Sequence, residues 1–126
     1  MKKLLIIPML FMCSMVIGQS KKIIGNPIQI EHLEVAQNDF PKEMTWNEAK
    51  KACYALGSRW RLPTKDELNL LYTNRKKIGG FTYDFYWSST ESSIYYFCNQ
   101  HFSDGIQNAG FEDNKYQVRA VRGPRF

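Results

Sequence analysis

The chain offers few groups able to do chemistry, and their spacing limits what they could do. Carboxylates stand at Asp66 and Glu67, Asp84, Glu91, Asp104, and Glu112 with Asp113. Asp66 and Glu67 open a helix, where the exposed backbone N–H groups and the dipole account for both acids without catalysis. The two histidines, His32 and His101, share no ligand spacing and define no metal centre. Glu112-Asp113-Asn114 is the best set of oxygens for a hard cation such as calcium, but calcium takes six or more, and three adjacent polar residues fit a solvated loop better. Ser88-Ser89-Thr90 has no histidine placed to activate it, and neither have Cys53 and Cys98, so nucleophilic catalysis has no support. The reading is therefore of a chain with no catalytic set, no metal and no cofactor.

The compartment bears on the cysteines. Residues 1–18, MKKLLIIPMLFMCSMVIG, have a basic start, an apolar middle and a small residue at the end, the pattern of a secretory signal peptide. Pro8 and Cys13 interrupt the apolar run and Gln19 and Ser20 follow it, so no stable membrane span is expected. Lipidation at Cys13 is disfavoured by the bulky Phe11 and Met12 before it. Removing the leader leaves Cys53 and Cys98 in a chain bound for a secreted, periplasmic or cell-surface location, where an even cysteine count invites a disulfide. A Cys53–Cys98 bridge would close a loop of about 45 residues and stabilise by about 4 kcal/mol in the loop-entropy account. Two buried free thiols, acting as small hydrophobes, are the open alternative.

Loss of Lys2 and Lys3 lowers the formal charge from +5 to +3. The remaining basic residues are scattered as Lys21/Lys22, Lys50/Lys51, Arg59/Arg61, Arg75 to Lys77 and Arg119/Arg122/Arg125, which reads as solvated surface rather than a nucleic-acid footprint. The length suits one domain, over 28–126, behind a short N-terminal segment at 19–27.

The elements that must position these groups are legible. IQIEHLEV, from Ile28 to Val35, alternates apolar and polar residues and slips by one at Glu31-His32, predicting a strand with a bulge. Thr45-Trp46-Asn47-Glu48 is a capping box, followed by an inward face of Trp46, Ala49, Ala52, Cys53 and Leu56 and a stop at Gly57. Pro63 disfavours helix at Leu62, and Thr64 to Glu67 is a second capping box opening a stripe of Leu68, Leu71 and Tyr72. Arg75 to Lys77 and then Gly79-Gly80 close that helix. Beyond Gly80 strand chemistry dominates: Tyr86 to Ser89, a turn at Glu91 to Ser93, Ile94 to Phe102, a hairpin turn at Ser103 to Gly105, a polar loop from Asn108 to Lys115, and a last strand from Tyr116 to Arg122. Most rings of the aromatic cluster from Phe81 to Phe97 are expected in the core.

The combination LEVAQNDF, MTWNEAKKAC, WRLPTKDELNLLY, IGGF, YWSSTE, FSDG and VRAVR resembles the Lcl C-terminal domain family of bacterial collagen-like adhesins and their relatives, over roughly Leu33 to Arg122. The resemblance implies an α+β, C-type-lectin-like fold, with two helices packed on a mostly antiparallel sheet and the N- and C-terminal strands adjacent. It also implies a secreted or surface binding or adhesion module without catalysis, whose partner is a glycan or a protein. The triplets that hold calcium in calcium-dependent lectins are missing, and Trp46-Asn47-Glu48 belongs to a helix cap. By fold analogy the ligand-binding loops would carry Tyr83, Asp84, Glu91, Ser92, Asn108 and Asp113. Two alternatives go with it. One is a structural or assembly subunit of a pilus-like surface complex, for which self-association is expected. The other is an oxidase of the formylglycine-generating type, which would need Cys53 and Cys98 exposed and close together.

Overall fold

A computed structural model describes residues 18–124; the leader reading lies almost wholly outside them, and Cys13 entirely so. Residues 18–24 are helical. The chain then forms β1 (Ile28–Ile30), β2 (Leu33–Val35), α1 (Trp46–Ala55), α2 (Lys65–Thr73), α3 (Arg75–Ile78), β3 (Phe85–Ser93), β4 (Tyr96–His101), β5 (Gln107–Phe111) and β6 (Val121–Arg122).

The strands make two antiparallel three-stranded sheets, ordered β1-β2-β6 and β3-β4-β5, where the sequence suggested a single sheet. The slip at Glu31-His32 is a hairpin turn and not a bulge. Glu31 takes φ 52°, and Ile30 then pairs with Leu33, so both bury on one face. The last strand pairs with β2, the second half of the stretch expected as the first strand, so the N- and C-terminal strands are adjacent as expected.

Both capping boxes form. Thr45 accepts from the Glu48 N–H while Glu48 accepts from the Thr45 N–H, and Thr64 and Glu67 repeat the exchange. Helix α1 ends at Gly57, whose φ of 79° suits the residue after a helix C-cap. Its first residue, Trp46, docks the helix on the second sheet: the indole stacks on Phe97 at 3.6 Å between ring centroids and donates to the Ser88 carbonyl. The second predicted helix is divided at Asn74 into α2 and α3.

Residues 116–122 were expected as one strand, but only Val121–Arg122 is regular, because the segment changes partner along its length. Tyr116 exchanges backbone hydrogen bonds with Met44, and Gln117 bonds Phe85 and Trp87. Val118 accepts from Phe40, Ala120 accepts from Ala36, and Val121 exchanges with Arg61. Its side chains divide the interior by alternation. Val118 and Ala120 join a cluster beneath α1 with Ala49, Cys53, Trp60, Trp87 and Phe97, whereas Val121 joins a second cluster beneath α2 with Leu33, Leu68, Leu71, Tyr86 and Phe102.

Three arginines expected on the surface are structural. Arg61 is buried in a two-pronged pair with Glu67, at 2.6 and 2.9 Å. Arg122 grips Glu34 across β2 and β6. Arg119, 1% exposed, bonds Asp39 at 2.7 Å and the carbonyls of Ala36 and Gly79, with its guanidinium over the Phe81 ring. Burial raises the Asp39 carboxyl above its usual range, an effect that Arg119 and the donated Tyr86 hydroxyl reduce without reversing. Glu67 is thus both a cap and a counter-ion, a second role that capping alone does not reveal.

Breaking such a pair from one side strands a charge in a poorly solvated place. Arg119→Met is expected to cost about 3–5 kcal/mol in urea denaturation. Adding Asp39→Asn should recover part of that loss, which a double-mutant cycle would read directly.

Candidate binding surface at a hairpin tip

Strand β3 runs on through Glu91 to Ser93, which reads as a turn in the sequence, because irregular register after Trp87 and again after Glu91 lets it stay paired with β4. Ser93 faces Tyr96, so the connection is only Ile94-Tyr95, two residues later than the sequence suggested. Tyr95 takes φ 68°, a left-handed conformation unfavourable for a side chain of this size. The tip therefore presents Ile94 and Tyr95 to solvent, 72% and 61% exposed. Behind them Tyr96 and Phe111, half-exposed neighbours on β4 and β5, touch with ring centroids 5.6 Å apart. These four give the tip end of the sheet an exposed apolar character.

The six residues assigned to ligand-binding loops do not converge. Tyr83 and Asp84 precede β3 and lie by the turn after β4, where the Phe102 N–H donates to the Asp84 carbonyl. Glu91 and Ser92 lie at the other end of β3, roughly 25 Å away at the usual rise of a strand. Asp113 lies just beyond Phe111, near that same end, since Glu112 donates to the Tyr95 carbonyl. Asn108 is exposed in mid-strand, opposite Asn99. Thus Glu91, Ser92 and Asp113 gather around the aromatic tip, while Tyr83, Asp84 and Asn108 stand apart. Sequence reasoning set Tyr95 and Tyr96 among mostly core rings; the two-residue turn that exposes them is hidden by the polar composition of β3. Tyr86, Trp87 and Phe97 are buried as expected.

Other arrangements are structural. Ser103 and Asp104 both approach the same nitrogen of His101, Nδ1, and close the turn after β4 rather than forming a relay through the ring. In the loop Glu112-Asp113-Asn114, Glu112 uses its backbone to hold Tyr95 and Trp46, and the Asn114 amide donates to the Tyr116 hydroxyl. Among the described residues no three His, Cys, Asp or Glu side chains come together to hold a metal. No described helix is long and apolar enough to cross a membrane. A groove of about 540 Å³ lies between the helical run 18–24 and α1, floored by Ile23, Phe40, Met44 and Leu56, and it includes none of the six residues.

The suggested Cys53–Cys98 bridge is not formed; both thiols are free. Cys53 is buried beneath α1 in the cluster that contains Phe97, and strand alternation turns Cys98, the next residue, to the opposite face. The two sulfurs are therefore not brought together as a copper-binding pair either.

Two capped helices on antiparallel sheets, with the chain's first hairpin and last strand in one sheet, define a C-type-lectin-like α+β domain. Solved structures agree on the fold. Botrocetin superimposes with a TM-score of 0.61 at 9% identity, over 79% of this chain and 98% of its own. EMS16, described as an antagonist of the collagen receptor integrin α2β1, gives 0.59 at 10%, with coverage of 79% and 98%. Botrocetin in complex with a von Willebrand factor A1 domain gives 0.57 at 10%, again over 79% and 98%. The chain belongs to the Lcl C-terminal domain family, whose model matches residues 26–122. A search of curated proteins finds no match.

Burial pushes the Cys53 thiol up to about 12, so it has almost no thiolate at neutral pH. In a titration with a thiol reagent, Cys98 should react in the native protein and Cys53 only after denaturation, apart from any contribution of Cys13. Equal native reactivity of the two would contradict the placement of Cys53.

Proposed function

We propose that this chain is a secreted, non-catalytic binding module that recognises a protein surface, or a glycan on one, through the tip of the β3–β4 hairpin. The observation that carries this reading is the Ile94-Tyr95 turn, an exposed apolar pair at a position where glycine or asparagine would be easier to accommodate. A tyrosine held at positive φ costs roughly 1–2 kcal/mol, and such strain concentrates where a side chain must be aimed. Tyrosine presents a large rigid ring with a polar end, suited to burial against a partner. Glu91, Ser92 and Asp113 supply the polar rim that surrounds an apolar centre in protein interfaces.

The fold relatives add support of a general kind, since one is described in complex with a protein domain and another as antagonist of a receptor. Secretion rests on the leader-like first eighteen residues.

The test is a panel of immobilised host and envelope proteins and glycans, probed with the wild type and with Tyr95→Gly. Glycine relieves the left-handed strain, so Tyr95→Gly should melt no lower than the wild type while losing most of its capture by any ligand found. Undiminished capture by Tyr95→Gly would move recognition away from the tip, and uniform silence of the folded wild type would count against a binding role.

A further inference from the structure

Among the described residues, the second sheet ends at a strand with no further strand beside it. On the β3 side the edge is closed, because Trp87 donates to the Gln117 carbonyl and Ser89 to that of Pro63. On the other side lies β5, with the sequence QNAGF and four of its five residues exposed. Its hydrogen-bonding phase is fixed by two contacts: His101 donates to the Ile106 carbonyl, and Glu112 to that of Tyr95. Alternation in an antiparallel ladder then turns the backbone groups of Ile106, Asn108, Gly110 and Glu112 towards β4 and those of Gln107, Ala109 and Phe111 outward, the Phe111 carbonyl also accepting from the Asn114 N–H. Edges are ordinarily protected by charge, proline, shortness or a bulge. The other sheet's β1 has only three residues and follows Pro27. Strand β5 has none of these protections.

We propose that β5 is a homodimerisation edge, at which two copies pair antiparallel about Ala109 to join their sheets into one of six strands. A second copy is the occupant because the strand is its own complement. With Ala109 on the two-fold axis, the outward groups of Ala109 meet their equivalents, and Gln107 stands opposite Phe111 of the other copy, as an isologous interface requires. Small Ala109 sits at the centre, where a bulky side chain would meet itself. The face above the strand is apolar towards the hairpin tip, carrying Tyr96, Phe111 and Ala109, while α2 covers only the other end through Gln107 to the Lys65 carbonyl and Gln100 to Asn69. The pairing does not depend on the ligand-binding reading, and a short strand with a few rings predicts a concentration-dependent dimer rather than an obligate one.

Sedimentation of the processed chain as recovered from the cell, over a wide concentration range, tests this. The wild type should pass from monomer to dimer. Ala109→Pro removes an outward N–H that β4 does not use, and Ala109→Lys sets two charges face to face. Both variants should remain monomeric, with melting unchanged from that of the dilute wild type. Hydrogen exchange gives the positional readout: the amides of Gln107 and Ala109 should exchange freely in dilute protein and become protected on association. A wild type that stays monomeric to its solubility limit overturns the proposal. So does a dimer that survives both substitutions, or one that leaves those two amides unprotected.

Discussion

A single guanidinium sets the frame. Arg119 is enclosed by Asp39, the carbonyls of Ala36 and Gly79, and the Phe81 ring, groups contributed by two separate parts of the chain, residues 36–39 and 79–81. Through Asp39 it reaches the Tyr86 hydroxyl, which in turn accepts from the Thr82 N–H, so the loop before α1, the end of α3 and the start of β3 are fixed relative to one another. A buried charge has little tolerance for misplacement, since each lost partner leaves desolvated charge behind. The resulting constraint favours one arrangement of these loops over others of similar apolar burial.

The segment that carries Arg119 also explains why two small cores can coexist in so short a chain. Residues 116–122 bond in turn to four other segments, so their backbone is satisfied without a long regular strand. Each successive side chain then serves the cluster on its own side. Val118 and Ala120 close the one beneath α1, and Val121 closes the one beneath α2. Apolar burial of this kind supplies the driving force, while the three arginine pairs decide which strands and helices meet.

Local chemistry was legible in the sequence where it is local. Both capping boxes, the stop at Gly57 and the restart after Pro63 depend on residues within one turn of each other, and all four are present. Partnership over long separations was not. Arg61, Arg119 and Arg122 look like surface charge in a linear reading; carboxylates brought from Glu67 and Asp39 make the first two interior, and Glu34 pins the partly exposed Arg122. A trace of this was present in VRAVR, where Arg119 and Arg122 interrupt an otherwise apolar run. The hairpin tip was misplaced for a related reason: the polar run of β3 carries turn composition but strand pairing, and pairing is a property of two segments.

That misplacement bears on recognition. A two-residue connection between long paired strands has little freedom, and this one is braced at its base. Trp46 stacks on Phe97 and bonds the Ser88 carbonyl, the Ser88 hydroxyl donates to the Cys98 carbonyl, and Gly110 lets the Tyr116 ring lie where any Cβ would come within 2.6 Å of it. The exposed rings of Tyr95, Tyr96 and Phe111 are therefore held by packed residues rather than carried on a mobile loop. Side-chain and loop ordering is a main cost of association, and a surface ordered before contact avoids much of it.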